Sequence, residues 1–195
     1  MSERKCGPCQ LCCRVMPIVE LGSEANMKCP HQRFRKGCAI YDRRPPGCQV
    51  WQCAWLAHPE LAELKRPDLA GYVIDLTMDF LTLALTDNST VAIKIIQIWC
   101  DSRRPDAHRD RALRDYLEAM FAQEYIGVVR HNSKSGIALI PPEWSGKGWV
   151  ELPAQGEGRE HKLEEYLAKF GTTDYRLGVV CGGNSNEKNN TFMRS

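Results

Sequence analysis

The residues best equipped for chemistry are cysteines, and of the ten in the chain only Cys100 and Cys181 lie outside residues 6 to 53. The run Cys6-Gly-Pro-Cys9-Gln-Leu-Cys12-Cys13 crowds four thiols together, and Cys29, Cys38, Cys48 and Cys53 follow at longer intervals. A C-x-x-C turn lets two thiolates converge on one ion while backbone N–H groups point at the sulfurs, and Gly7-Pro8 suits such a tight turn. Cys9 to Cys12 repeats the spacing. Adjacent side chains diverge by about 100° on a helix and point to opposite faces of a strand, so Cys12 and Cys13 do not serve one ion identically. One of them faces a second metal, completes a cluster from another side, or fills core space as a small hydrophobe.

Metal explains this pattern better than disulfides. The start Met-Ser-Glu-Arg-Lys-Cys-Gly lacks the basic and then apolar stretch of an export signal. The most apolar run, Val91 to Trp99, is short for a membrane span and is interrupted by Lys94 and Gln97. The expectation is a cytoplasmic protein, where thiols stay reduced and clustered cysteines bind metal. Between residues 6 and 53 there are only twelve large apolar side chains other than cysteine, too few for a self-sufficient core. A structural zinc contributes on the order of 10–16 kcal/mol in small modules, comparable to a domain's stability of about 5–15 kcal/mol. Residues 1 to 56 are therefore expected to be ordered only with metal.

Eight thiols plus His31, in Cys29-Pro30-His31, would saturate two four-ligand sites or make one cluster with spare thiols. Zinc would take closed sites of four thiolates, or of three thiolates and an imidazole, built from Cys6/Cys9 with Cys29/His31 or Cys48/Cys53. The paired C-x-x-C steps also look like the opening of a bacterial ferredoxin, although Cys13 follows Cys12 at once and the cysteine before a proline, Cys29, comes much later. The density of a thiol-only run favours an iron–sulfur cluster, with zinc as the alternative.

In their order these residues resemble the bacterial and archaeal CxxCxxCC cysteine-cluster family, described as zinc- or iron-chelating. The resemblance runs through Cys6-x-x-Cys9-x-x-Cys12-Cys13, Lys28-Cys29, Gly37-Cys38-Ala-Ile40-Tyr41-Asp-Arg-Arg44-Pro45-x-x-Cys48 and Trp51-x-Cys53 before Trp55-Leu56, about the first third of the chain. It implies that Cys6, Cys9, Cys12, Cys13, Cys29, Cys38, Cys48 and Cys53 are the metal-cluster cysteines. Gln49 stands where relatives commonly have arginine, and Trp51 where a smaller aromatic is usual. Some members of the family have been called iron–sulfur oxidoreductases, and one larger branch is associated with protein lysine methylation. Neither activity transfers on the motif alone, and no glycine-rich cofactor loop supports methylation here.

The formal net charge is +2, so strong attraction to nucleic acid or membrane is not indicated. The basic bias is confined to the cysteine segment, where Arg33, Arg35, Lys36, Arg43 and Arg44 could compensate thiolate charge or, alternatively, form a nucleic-acid patch beside Phe34 and Tyr41. His58, His108, His131 and His161 lack paired metal spacing and read as surface or capping residues. Alternation with apolar neighbours makes Asp75 and Asp79 solvent-facing. Cys100 reads as structural. No nucleophile with a recognisable base, phosphate loop or telling carboxylate pair is present, so the catalytic residues, if any, are not identified.

The elements that must position the cysteines lie downstream. Gly71 to Thr77 and Phe80 to Thr86 read as strands, with Asp87-Asn88-Ser89 turning into a third from Val91 to Trp99, an antiparallel meander. Leu113, Tyr116, Leu117, Met120 and Phe121 mark one face of an amphipathic helix within Ala107 to Tyr125, with Asp106 as its cap. Ile126 to His131 and Gly136 to Ile140 suggest a hairpin, and Glu160 to Phe170 a second helix ended by Gly171. The expected fold is α+β: a metal-organised cysteine region, 1–64, packed on a body, 65–181, of a small antiparallel sheet and two helices, with a disordered tail, 182–195. The expected function is metal binding through the cysteine cluster, with a metal ion and a protein as partners. The alternatives are a zinc-stabilised interaction or nucleic-acid-binding module and a metal-dependent oxidoreductase or modifying enzyme.

Overall fold

The computed structural model describes Arg4 and residues 6–76, 80–85, 90–155, 160–161 and 175–178. The chain divides into two units, one of residues 1–76, 97–116 and 129–132 and the other of 77–96, 117–128 and 133–195. The class is α+β. No helix among the described residues is long and apolar enough to cross a membrane.

The first unit begins with short elements joined by turns: α1 (Cys12–Val15), β1 (Gln32–Arg33), β2 (Gly37–Cys38), α2 (Pro46–Val50), α3 (Ala54–Ala57) and α4 (Pro67–Ala70). β1 and β2 form an antiparallel ribbon with Gln32 opposite Cys38. Proline opens α2 and α4 because its fixed φ suits the first helical turn and its missing N–H would have no partner there. Gly71 ends α4 at φ +87°, its N–H reaching the Pro67 carbonyl at 2.7 Å. A Cβ at this glycine would also lie 3.0 Å from the Arg104 guanidinium, so both backbone and packing require glycine.

From Gly71 the chain enters β3 (Tyr72–Asp75), antiparallel to Gln97–Cys100. Tyr72, Val73, Ile74, Ile98, Trp99 and Cys100 are all buried, so both faces of this strand pair are covered and the period-two alternation of a half-buried strand is absent. That corrects the solvent-facing reading of Asp75. Its carboxylate is buried and accepts a hydrogen bond from Trp51 Nε1 at 3.0 Å. Asp79 falls outside the described residues.

The larger sheet is built on β4 (Phe80–Leu85), β5 (Thr90–Cys100), β6 (Tyr125–Arg130), β7 (Ser135–Ile140), β8 (Val150–Gln155), β9 (Glu160–His161) and β10 (Tyr175–Gly178), in the order β8-β7-β6-β5-β4-β10-β9. The pairs β4–β5, β7–β8, β4–β10 and β9–β10 are antiparallel. β5 thus partners both β3 and β4, where the sequence suggested a meander in chain order. Ile93, Ile95, Ile126, Val128, Ala138, Ile140 and Leu152 form one buried cluster, mostly branched side chains that fit a pleated surface. Trp144, just before the end of α6 (Pro142–Ser145), packs against it and meets Phe121 edge-on at 5.0 Å between ring centres. The expected hairpin corresponds to the neighbouring β6 and β7.

The amphipathic helix is α5 (Arg111–Phe121), with Leu113 and Leu117 buried one turn apart. Its cap differs from the expected one. A separate 3-10 turn, Ala107–Arg109, intervenes, and Asp110 is the residue whose carboxylate accepts the Ala112 and Leu113 N–H groups at 3.1 and 3.4 Å. Asp106 instead pairs with Arg109 at 3.2 Å. Of the expected second helix, Glu160–His161 is strand, while residues 162–171, like the 87–89 turn, Cys181 and the 182–195 tail, lie outside the described residues.

Candidate metal centre

All eight clustered cysteines belong to the first unit and are free thiols. Cys6 is exposed, Cys29 is buried, and Cys9, Cys12, Cys13, Cys38, Cys48 and Cys53 are half-buried. Gly7 adopts φ +52°, and the Cys9 N–H closes the turn on the Cys6 carbonyl at 2.9 Å, the tight geometry expected of Gly7-Pro8. α1 then fixes the adjacent pair. Leu11 at its N-cap and Val15, four apart, bury one face against Val73 and Trp99, and Cys9, Cys12, Met16, Trp51 and Cys53 pack around that apolar cluster.

Backbone donors and charges act on the sulfurs. Burial raises the Cys9 pKa, opposed by the N–H groups of Leu11 and Asp68. Burial pushes Cys53 up to about 11, opposed by the N–H groups of Leu56 and Trp55 and reinforced by the charges of Cys6 and Cys9. Cys12 is raised well above the usual thiol range, first by its hydrogen bond to Cys13, then by burial and by the charges of Cys13, Cys9 and Cys53. That same hydrogen bond lowers Cys13 to about 7, with help from its own N–H and from Arg44. Cys48 is raised by burial and then by Cys13, Cys29, Cys38 and Glu20. Cys6 is raised by burial and Cys13 and lowered by Arg44.

Long-range polar ties hold these loops. Gln10 Nε2 donates to the Arg33 carbonyl at 2.6 Å, and Gln32 Nε2 donates to the Gln10 carbonyl at 3.1 Å, joining the C-x-x-C run to the β1–β2 ribbon. Asn26, at φ +62°, donates from Nδ2 to the carbonyls of Cys100 and His131 at 3.0 and 2.8 Å and accepts the Ser102 N–H at 2.8 Å. Glu20 accepts the Gly47 N–H at 2.8 Å. Arg44 stacks over Tyr41 at 3.9 Å and donates to the Cys48 carbonyl at 3.2 Å. Gln10 and Asn26 carried no signal in the sequence, because an amide's partners 23 to 105 residues away leave no local pattern.

The donor set suits a metal: eight soft thiols, with backbone N–H groups acting on Cys9 and Cys53 and the charge of Arg44 on Cys13. Among the described residues, no three His, Cys, Asp or Glu side chains stand close enough to hold an ion as placed. Comparison with known proteins found no matching family model, no matching curated protein and no matching solved structure. His31 contributes its carbonyl to the Ala39 N–H at 2.8 Å.

The other titratable groups are placed differently from the expectation in one case. His108 is buried, not on the surface, with Nδ1 3.0 Å from the Pro105 carbonyl and its own carbonyl accepting from Arg114 Nε at 3.1 Å. It lies there because the 3-10 turn folds it inward ahead of α5. Cys100 is buried and its thiol is pushed up to about 12 by that burial, an environment in which it stays protonated and inert. His58 is half-buried, its Nδ1 3.0 Å from Glu60 Oε1.

Proposed function

We propose that this is a metal-binding protein of the reducing cytoplasm, in which Cys6, Cys9, Cys12, Cys13, Cys29, Cys38, Cys48 and Cys53 are the ligands and an iron–sulfur cluster is the favoured cofactor, with zinc as the alternative. The observation that carries this reading is that eight free thiols from 48 residues of chain share one unit and lie within reach of one another's charge. An isolated set of thiolates would repel, so a bound cation is the partner that makes the arrangement favourable. The lowered Cys13 supplies a thiolate near neutral pH. An iron–sulfur cluster would add one-electron transfer, and zinc would act as a cross-link.

The test is to purify the chain without air or an affinity metal, record its visible spectrum and quantify iron, sulfide and zinc. Broad visible absorbance with matching iron and sulfide identifies the cluster, and a colourless protein with stoichiometric zinc identifies the alternative. A chain free of both metals, and unable to take up either after reduction, overturns the reading.

A second reading is favoured by the exposed Phe34 and Tyr41, with Arg35 5.1 Å above the first ring and Arg44 3.9 Å above the second. Exposed rings flanked by guanidinium groups are a platform on which single-stranded nucleic acid stacks. Binding that weakens steeply with salt and is lost in Phe34→Ala supports it, and no binding at low salt removes it.

A further inference from the structure

We infer that the eight cysteines form two four-thiolate centres, one of Cys6, Cys9, Cys12 and Cys53 and the other of Cys13, Cys29, Cys38 and Cys48, with the division falling between the adjacent residues Cys12 and Cys13. The inference rests on the metal-binding reading and goes beyond it in assigning each thiol to a centre.

The backbone separates the pair at the boundary. Within α1, Cys12 and Cys13 leave the helix about 100° apart, so they address different sides of it. Cys12 lies on the side of the Leu11, Val15, Val73 and Trp99 cluster, where Cys9 and Cys53 also pack. Cys6 joins them through the closed Cys6–Cys9 turn. The charges acting on Cys53 agree, since its thiol neighbours are Cys6 and Cys9, and those acting on Cys12 besides Cys13 are Cys9 and Cys53.

Cys13 belongs with the later cysteines. Its carbonyl accepts the Cys29 N–H at 2.9 Å, and the Cys29 carbonyl accepts the Gln32 N–H at 3.0 Å, which leads directly into the ribbon where Gln32 faces Cys38. Cys48 completes the set: Arg44, which donates to the Cys48 carbonyl at 3.2 Å, stacks over Tyr41, three residues after Cys38. The two groups adjoin through the Cys12–Cys13 hydrogen bond and the influence of Cys13 on Cys6. Two centres also use every clustered thiol without His31.

The experiment has two parts. The reduced, metal-stripped full chain is loaded with cadmium-113 ions alone and its NMR spectrum recorded: two resonances of equal intensity in the range of four-sulfur coordination are expected. Serine variants are then purified without air and their metal counted against wild type. Cys12→Ser and Cys13→Ser should each keep half. The Cys12→Ser/Cys53→Ser pair, within one centre, should also keep half, whereas Cys53→Ser/Cys38→Ser, across both, should keep none. A single cadmium resonance, a set of more than two from a bridged cluster, or loss of all metal in a folded single variant overturns the partition. If a variant fails to fold, the wild-type cadmium spectrum still decides. A wild-type chain that binds no metal of any kind overturns the metal-binding reading itself.

Discussion

The cysteine segment and the large sheet are held in different ways. In the sheet, Ile95, Ile126, Val128, Ala138 and Ile140 are almost wholly removed from water on strands of regular register, so burial and ladder hydrogen bonds reinforce each other. In residues 6–53 the longest helix is α2, of five residues, and the strands are of two. Val19, Met27, Phe34, Tyr41 and Val50 are exposed there. The apolar anchor of that segment is narrow, Leu11 and Val15 on Val73 and Trp99, and side-chain ties from Gln10, Glu20, Asn26, Arg44 and Trp51 add to it. On the proposed metal-binding reading, cross-links through the thiols offset the entropy of ordering a region with so little burial per residue.

The largest expected effect follows from that contrast. With the proposed metal bound, its chelation under reducing conditions should cost the segment on the order of 10 kcal/mol, read as loss of hydrogen-exchange protection across residues 6–53 while β6 and β7 keep theirs. Unchanged protection in the metal-free segment would break the comparison. Next, Ile95→Ala should lower stability by about 2–5 kcal/mol in denaturant unfolding and leave metal content at the wild-type level. Asn26→Ala, which frees three backbone partners at once, should cost about 1–3 kcal/mol and speed exchange of the Ser102 amide.

The smallest effect is electrostatic. Burial alone would raise Asp110, but Lys65 and the Leu113 and Ala112 N–H groups outweigh it and lower its pKa, and the Arg103 guanidinium lowers Asp101. For both carboxyls the folded pKa lies below the unfolded value of about 3.9. Their contribution is therefore complete above that value and is lost as the pH falls through the lower, folded one. Asp110→Asn should reduce stability at pH 7 by less than about 1 kcal/mol and flatten the acid limb of the stability curve. An unchanged acid limb would show that the Lys65 pair and the α5 cap add nothing.

By itself the sequence determined what local pattern can encode: the density of thiols, the turn at Gly7-Pro8, the β5 strand, the β6–β7 hairpin and the apolar face of α5. Each follows from spacing along the chain, because a 3.6-residue or two-residue period and a tight turn are properties of neighbours. Only the tertiary structure decided that β5 takes both β3 and β4 as partners, that Asp75 and His108 are buried, and that Asp110 rather than Asp106 caps α5. It also decided that the Cys29 N–H pairs with the Cys13 carbonyl and that Cys9, Cys12 and Cys53 pack on one apolar cluster. Those outcomes depend on loop closure and on hydrogen bonds between residues far apart in sequence, whose partners are chosen by the folded packing and leave no periodic trace in the chain.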